Sequence, residues 1–111
     1  MNDRELLELA AKALGGEIAT GRWNGVSLHI YTGEKSYVWN PLIDDGDALR
    51  LAVSLCIQVD PLPLSTFVGW TFVQGRQQRG KEIREHHDGD EMAATRRAIV
   101  RAAAYIGEQL P

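Results

Sequence analysis

The hydrophobic repeat of this chain switches four times between helical and alternating spacing, and that succession limits the fold more than any single motif does. Leu6, Leu7, Ala10, Ala13 and Leu14 recur at helical spacing from Asp3 to Leu14, with Asp3 available as a cap and Gly15-Gly16 as a stop. From Val26 the period falls to two: Val26, Leu28 and Ile30 point one way, and Ser27, His29 and Tyr31 the other. Thr32-Gly33-Glu34 reads as a turn into Tyr37-Val38-Trp39, which predicts a hairpin. Ile18 to Trp23 supplies a short strand before it, ahead of the turn signal Asn24-Gly25. Ala48, Leu49, Ala52, Val53 and Cys56 then form an apolar stripe that Leu51 and Leu55 broaden, predicting a second helix covered over much of its surface.

Pro61 and Pro63 each lack a backbone donor, so Gln58 to Leu64 is predicted as an edge strand or an extended connector. Phe67 to Val73 is rich in strand formers and is predicted to pair with Lys81 to His87 across a polar loop, Gln74 to Gly80. Met92 through Leu110 is Ala-rich, with Ile99, Ala103, Ile106 and Leu110 on one face and Arg97 and Arg101 on another, which predicts a third helix. The fold class that follows is α+β: an antiparallel β-sheet of two hairpins layered with three helices in the order α-ββ-α-ββ-α. An α/β/α sandwich is the arrangement in which helices cover both sides of that sheet. A chain of 111 residues can bury a real core but is short for two domains, so residues 1–111 are read as one.

Composition narrows the functional classes. With 44% hydrophobic and 24% charged residues the chain has globular proportions and is not a disordered segment. A formal charge of -3 disfavours a protein devoted to nucleic acid, which needs clustered positive charge to displace counterions. The single cysteine, Cys56, has no intrachain disulfide partner and is read as a small buried hydrophobe, which fits a reducing cytoplasm. The N-terminal segment lacks the features of a signal peptide, and no run approaches the roughly 20 apolar residues of a membrane span. A soluble protein with no membrane partner is expected.

Two acidic clusters invite a chemical reading. In Trp39-Asn40-Pro41-Leu42-Ile43-Asp44-Asp45-Gly46-Asp47, a calcium loop with Gly46 in its sixth place would start at Pro41 and end at Ala52 instead of glutamate, so the spacing fails. Asp44 as N-cap with Asp47 at N3 is instead a variant capping box at the positive end of a helix dipole. His86-His87-Asp88-Gly89-Asp90-Glu91 gives a second such box, with Asp88 as N-cap and Glu91 at N3. His86, His87, Asp88 and Asp90 are acceptable zinc or manganese ligands if a loop bends them together, but adjacent histidines at a strand end face opposite ways and no known ligand spacing is present. No nucleophile elbow, phosphate loop, paired CxxC or dinucleotide fingerprint occurs, so no catalytic residue and no cofactor are assigned. Arg76, Arg79 and Lys81 in the glycine-bounded loop, with Arg97 and Arg101 on the last helix, are the candidate interaction surface. His29 reads as an exposed histidine, and Trp23, Trp39 and Trp70 as core or core-edge residues.

The segment WNPLIDDGDALRLAV and the segment from Asp90 to Ala104, DEMAATRRAIVRAAA, together resemble small phage and prophage proteins of the phage ABA-sandwich type, similar to the NinX group. There an N-P or S-P step and an acidic cap open a middle helix, and an A-x-x-R-A-I-x-x-A helix closes the chain. The motifs cover about a quarter of this chain, while the order of elements agrees over nearly all of it. Pro61-Leu62-Pro63 and the long basic loop depart from the pattern. The resemblance implies a helix-layered sheet and a phage or prophage source, hence a bacterial host cytoplasm, but no activity. Trp39, Pro41, Asp44, Leu49, Ala98 and Ile99, which carry it, are residues already assigned to capping and packing.

Three functions compete on this footing. The leading expectation is a non-enzymatic accessory module that binds a host or phage protein. A nucleic-acid binder using the five basic residues is the second, and a small metal-dependent hydrolase using the histidine cluster the third. Gln58 to Leu64 also offers an edge for a homodimer, against which the prolines act by removing donors.

Overall fold

A computed structural model describes residues 1–111. Helix α1 spans Asp3–Leu14, a 3₁₀ turn spans Ile18–Thr20, and strands β1 (Arg22–Trp23), β2 (Leu28–Thr32) and β3 (Lys35–Trp39) follow. Helix α2 (Asp45–Ser54) leads to β4 (Gln58–Pro61), β5 (Ser65–Gln74) and β6 (Gln77–His86), and helix α3 (Glu91–Glu108) closes the chain. The class is α+β with the predicted order of helices and hairpins. The hairpins do not merge: β1-β2-β3 and β4-β5-β6 are separate three-stranded antiparallel sheets.

Local chemistry explains the boundaries. The Asn2 side chain accepts from the Glu5 N–H at 2.8 Å and is the cap of α1, so Asp3 lies one step inside the first turn, where its charge still complements the dipole. Gly15, at a φ of 75°, ends that helix with its N–H on the Ala11 carbonyl. Asp44 caps α2 as predicted, accepting from the Asp47 N–H at 2.8 Å. For α3 the cap is Asp90, which accepts from Ala93 N–H at 3.0 Å, not Asp88. Asp88 and Gly89 both have positive φ and form the turn that brings the Asp90 N–H to the His87 carbonyl, so Asp88 cannot reach the helix.

In the first sheet Leu28 pairs with Trp39 and Thr32 with Lys35, so Leu28, Ile30 and Trp39 turn inward. The short β1 pairs with β2, and Val26 precedes the strand and is exposed. In the second sheet β4 is an edge, as Pro61 at its end requires. The β5–β6 hairpin is longer than predicted: Gln74 pairs with Gln77 around a two-residue Gly75-Arg76 turn, so most of Gln74 to Gly80 is strand. Polar residues do not break a ribbon whose faces meet water, and Gly75 at a φ of 64° supplies the reversal.

Helix α3 is the centre of the core, packing on α1, α2 and the inner face of β5 and β6. Leu7, Leu28, Ile30, Leu51, Val68 and Val100 are fully enclosed. The seam between α1 and α3 is built from small residues, Ala10 and Ala11 against a run that includes Ala103 and Ala104. It is closest at Gly107, where an added Cβ would overlap the Leu9 carbonyl. Leu110, predicted on the core face, lies beyond the helix and is partly exposed.

Candidate functional site

The second helix is less covered than its periodicity predicts. Ala48, Leu51 and Ala52 face the core, whereas Leu49 and Val53, one turn apart, are 64% and 69% exposed. Cys56 is exposed too, against expectation. The Cys56 N–H bonds the Val53 carbonyl at 3.2 Å and the Ile57 N–H bonds the Ala52 carbonyl at 2.9 Å. That pair is the Schellman ending, and it places Cys56 at the left-handed position with a φ of 54°, turning its side chain out of the stripe.

Beside Leu49, the first turn of α3 projects Met92, 54% exposed. Leu49, Met92, Ala48, Val59 and Ile99 line a shallow recess of about 280 Å³ with Thr95, Asp45 and Arg96 at its border. A second shallow recess, about 300 Å³, lies on the other side of the first turn of α2, where Val38 and Ile43 meet Ser27, Asn40, Asp44 and Asp47. Both Val38 and Ile43 are exposed. Apolar side chains therefore bracket the N-terminus of α2.

A polar frame holds this surface rigid. Buried Asn40 donates to the Val26 carbonyl and Ser27 Oγ, both at 3.0 Å, and its Oδ1 accepts from the Leu42 N–H. The Asn40 N–H donates to Asp47 Oδ2 at 3.0 Å, tying the end of β3 to the helix. Arg96, from α3, donates to the Leu42 carbonyl at 2.8 Å and to Asp45 at 2.7 Å, fixing the two helix starts together. Arg50 pairs with Asp47 at 2.9 Å. All three acidic side chains of the DDGD cluster thus have structural partners, and the cluster is a helix start.

The histidine cluster is dispersed. His87 turns inward, 8% exposed, with Nε2 2.9 Å from Thr66 Oγ1, which in turn lies 2.8 Å from Thr95 Oγ1. His86 is exposed, and Asp90 is spent on its cap. No three His, Cys, Asp or Glu side chains are grouped to hold a metal ion. The basic candidates are also spread out. Arg97 pairs with Asp3 at 3.1 Å, Arg101 with Glu85 at 2.6 Å, and Lys81 lies over the Tyr105 ring at 4.8 Å. Arg76 occupies the hairpin turn, and Arg79 donates to Gln77 at 3.0 Å.

Leu49, Val53 and Met92 were legible as apolar, but periodicity assigned the first two to the core. Periodicity does not say what lies opposite a helix face, and for Cys56 the missing signal was the left-handed end of α2, which cysteine does not announce as glycine would. No helix is long and apolar enough to cross a membrane. Comparison with family models, curated proteins and solved structures finds no match for this chain.

Proposed function

We propose that this chain is a non-enzymatic accessory module that binds a host or phage protein in the bacterial cytoplasm through the surface around α2. The observation that carries the reading is the exposed apolar set Leu49, Val53 and Met92 on a frame fixed by Arg96 and Asn40. Exposed apolar side chains grouped on rigid elements and rimmed by charge are what a protein interface requires, because binding then orders little. The rim here pairs Asp44 with Arg50 and Asp45 with Arg96, so the partner offers apolar anchors flanked by polar side chains of either sign. Phage or prophage origin rests on the resemblance of the two segments described above.

The test is a tagged pull-down from bacterial lysate, nuclease-treated, comparing the natural chain with the double variant Leu49→Glu/Val53→Glu and with Arg76→Glu. A stoichiometric protein captured by the natural chain and by Arg76→Glu, and lost by the double variant, is the expected result. Loss with Arg76→Glu alone, or after nuclease alone, would transfer the function to the hairpin and to nucleic acid.

A further inference from the structure

The outer face of the first sheet carries a different kind of surface. The register sets Arg22 of β1 directly across from His29 of β2, and Tyr31 follows His29 on the same face. The rings of His29 and Tyr31 stack at 4.3 Å between centroids with an interplanar angle of 20°. The Tyr31 hydroxyl lies 3.2 Å from His29 Nδ1. The tautomer decides which of the two donates; in the form where the hydroxyl donates to Nδ1, the imidazole proton sits on Nε2 and can be offered to a ligand. Tyr31 is nevertheless 62% exposed, so a broad aromatic face remains open to a ligand.

These residues line a recess of about 670 Å³ together with Thr20, Trp23 and Asn24. The volume falls within the range of small-molecule sites. No carboxylate is among its lining residues, in a chain whose acidic residues outnumber its basic ones. Arg22 forms no ion pair, a state it shares with Arg76, Arg79 and Arg84, but of these four it alone lines this recess. An unpaired guanidinium beside an exposed stacked ring offers two recognition elements, one for an anion and one for a flat π-surface. Diagonal positions on adjacent strands lie about 7–8 Å apart at the backbone, within the reach of an arginine side chain. That spacing suits an aromatic base joined through a sugar to a phosphate.

We propose that the Arg22–His29–Tyr31 face of the first sheet binds a nucleoside monophosphate unit, its base stacked on Tyr31 and its phosphate held by Arg22 with His29. The unit can come from a free nucleotide or from a single strand. The net charge of -3 favours the free nucleotide, because a strand needs several cations along its backbone. The site shares no residue with the α2 surface, so either can fail without the other.

Isothermal titration of the full chain with adenosine 5′-monophosphate, adenosine and inorganic phosphate tests this, repeated with Arg22→Ala and Tyr31→Ala. Saturable binding of the monophosphate is expected, with both fragments weaker by about tenfold or more and each substitution weakening it at least about fivefold. Both side chains lie on the outer face, and an unchanged melting temperature would show that the variants fold. Absence of binding at millimolar monophosphate would overturn the proposal, as would affinity unchanged in both variants or matched by phosphate alone. A single-stranded oligonucleotide measured at low and high salt separates the sources. Tighter, steeply salt-dependent binding lost in the same variants assigns the unit to a strand, and binding no tighter than the monophosphate assigns it to the free nucleotide.

Discussion

Gly107 gives the sharpest test of the packing, because two general effects predict opposite signs there. It lies in the last turn of α3, and replacing glycine by alanine inside a helix ordinarily stabilises a protein by about 0.4–1 kcal/mol through helix propensity and unfolded-chain entropy. At this position, however, an added Cβ would overlap the Leu9 carbonyl and lie 3.3 Å from the Ala13 nitrogen. Those atoms belong to the backbone of α1, which cannot rotate aside as a side-chain end would. Relief requires the two helices to separate, loosening the alanine seam. Overpacking a rigid site costs about 1–3 kcal/mol, so after the propensity gain Gly107→Ala should lose roughly 1–2 kcal/mol net.

For a domain of this size that loss lowers the melting temperature by about 4–9 °C. Urea unfolding monitored by circular dichroism reads the free energy directly, and the slope should stay near the natural value because the surface exposed on unfolding scarcely changes. Gly46→Ala is the matched control. It is also helical, but the nearest atoms to its added Cβ are the mobile guanidinium of Arg50 and the Asp44 carboxylate. That variant should be neutral or slightly stabilising. If Gly107→Ala is as stable as the natural chain or more so, the close approach of α1 and α3 is wrong.

Three further outcomes follow from local geometry. Cys56→Gly should raise stability by about 0.5–1 kcal/mol in urea unfolding, since glycine relieves the left-handed strain at a φ of 54° and gives back only part of the gain as unfolded-state entropy. Asp44→Ala should cost about 1 kcal/mol by the same assay, through the lost cap on the Asp47 N–H; a variant as stable as the natural chain would refute the capping role. Tyr37 donates to Glu17 at 2.8 Å, and burial, that hydrogen bond and the Glu17 charge raise its pKa above the ordinary 10.0. The unfolded tyrosine therefore ionises first, so stability should fall as pH rises above about 10 and through the folded pKa. In Tyr37→Phe that alkaline fall should be shallower, and an identical slope would exclude the contribution.

Much of the architecture was legible because its determinants are local. The DDGD start of α2, the Gly15 stop of α1 and the edge position of β4 each follow from one or two side chains acting on their own backbone. What was misplaced depends on partners distant in sequence or on backbone states that residue types signal weakly. Asp88 and Asp90 are both good caps by composition, and only the left-handed turn at Asp88-Gly89 selects the second. The β5–β6 ribbon extends past its apolar stretch because cross-strand hydrogen bonds, not burial, define its outer half. The Arg22–His29–Tyr31 face needs the β1–β2 register, which a two-residue strand hardly announces.

The α2 stripe shows why the core and the candidate interface were confused. Periodicity states which side chains share a helix face; it says nothing of what lies opposite that face. Leu51 and Ala52 are covered because α2 packs on α3 and joins the common core. Arg96 and Asn40 then fix the helix at its first turn, so α2 cannot roll to bury Leu49 and Val53 without breaking contacts to Leu42, Asp45 and Asp47. Within the fold nothing covers those two residues, so only a surface from outside it could. Apolar length beyond what the core can take, on a helix held against rotation, is thus the physical basis for reading this face as a docking surface.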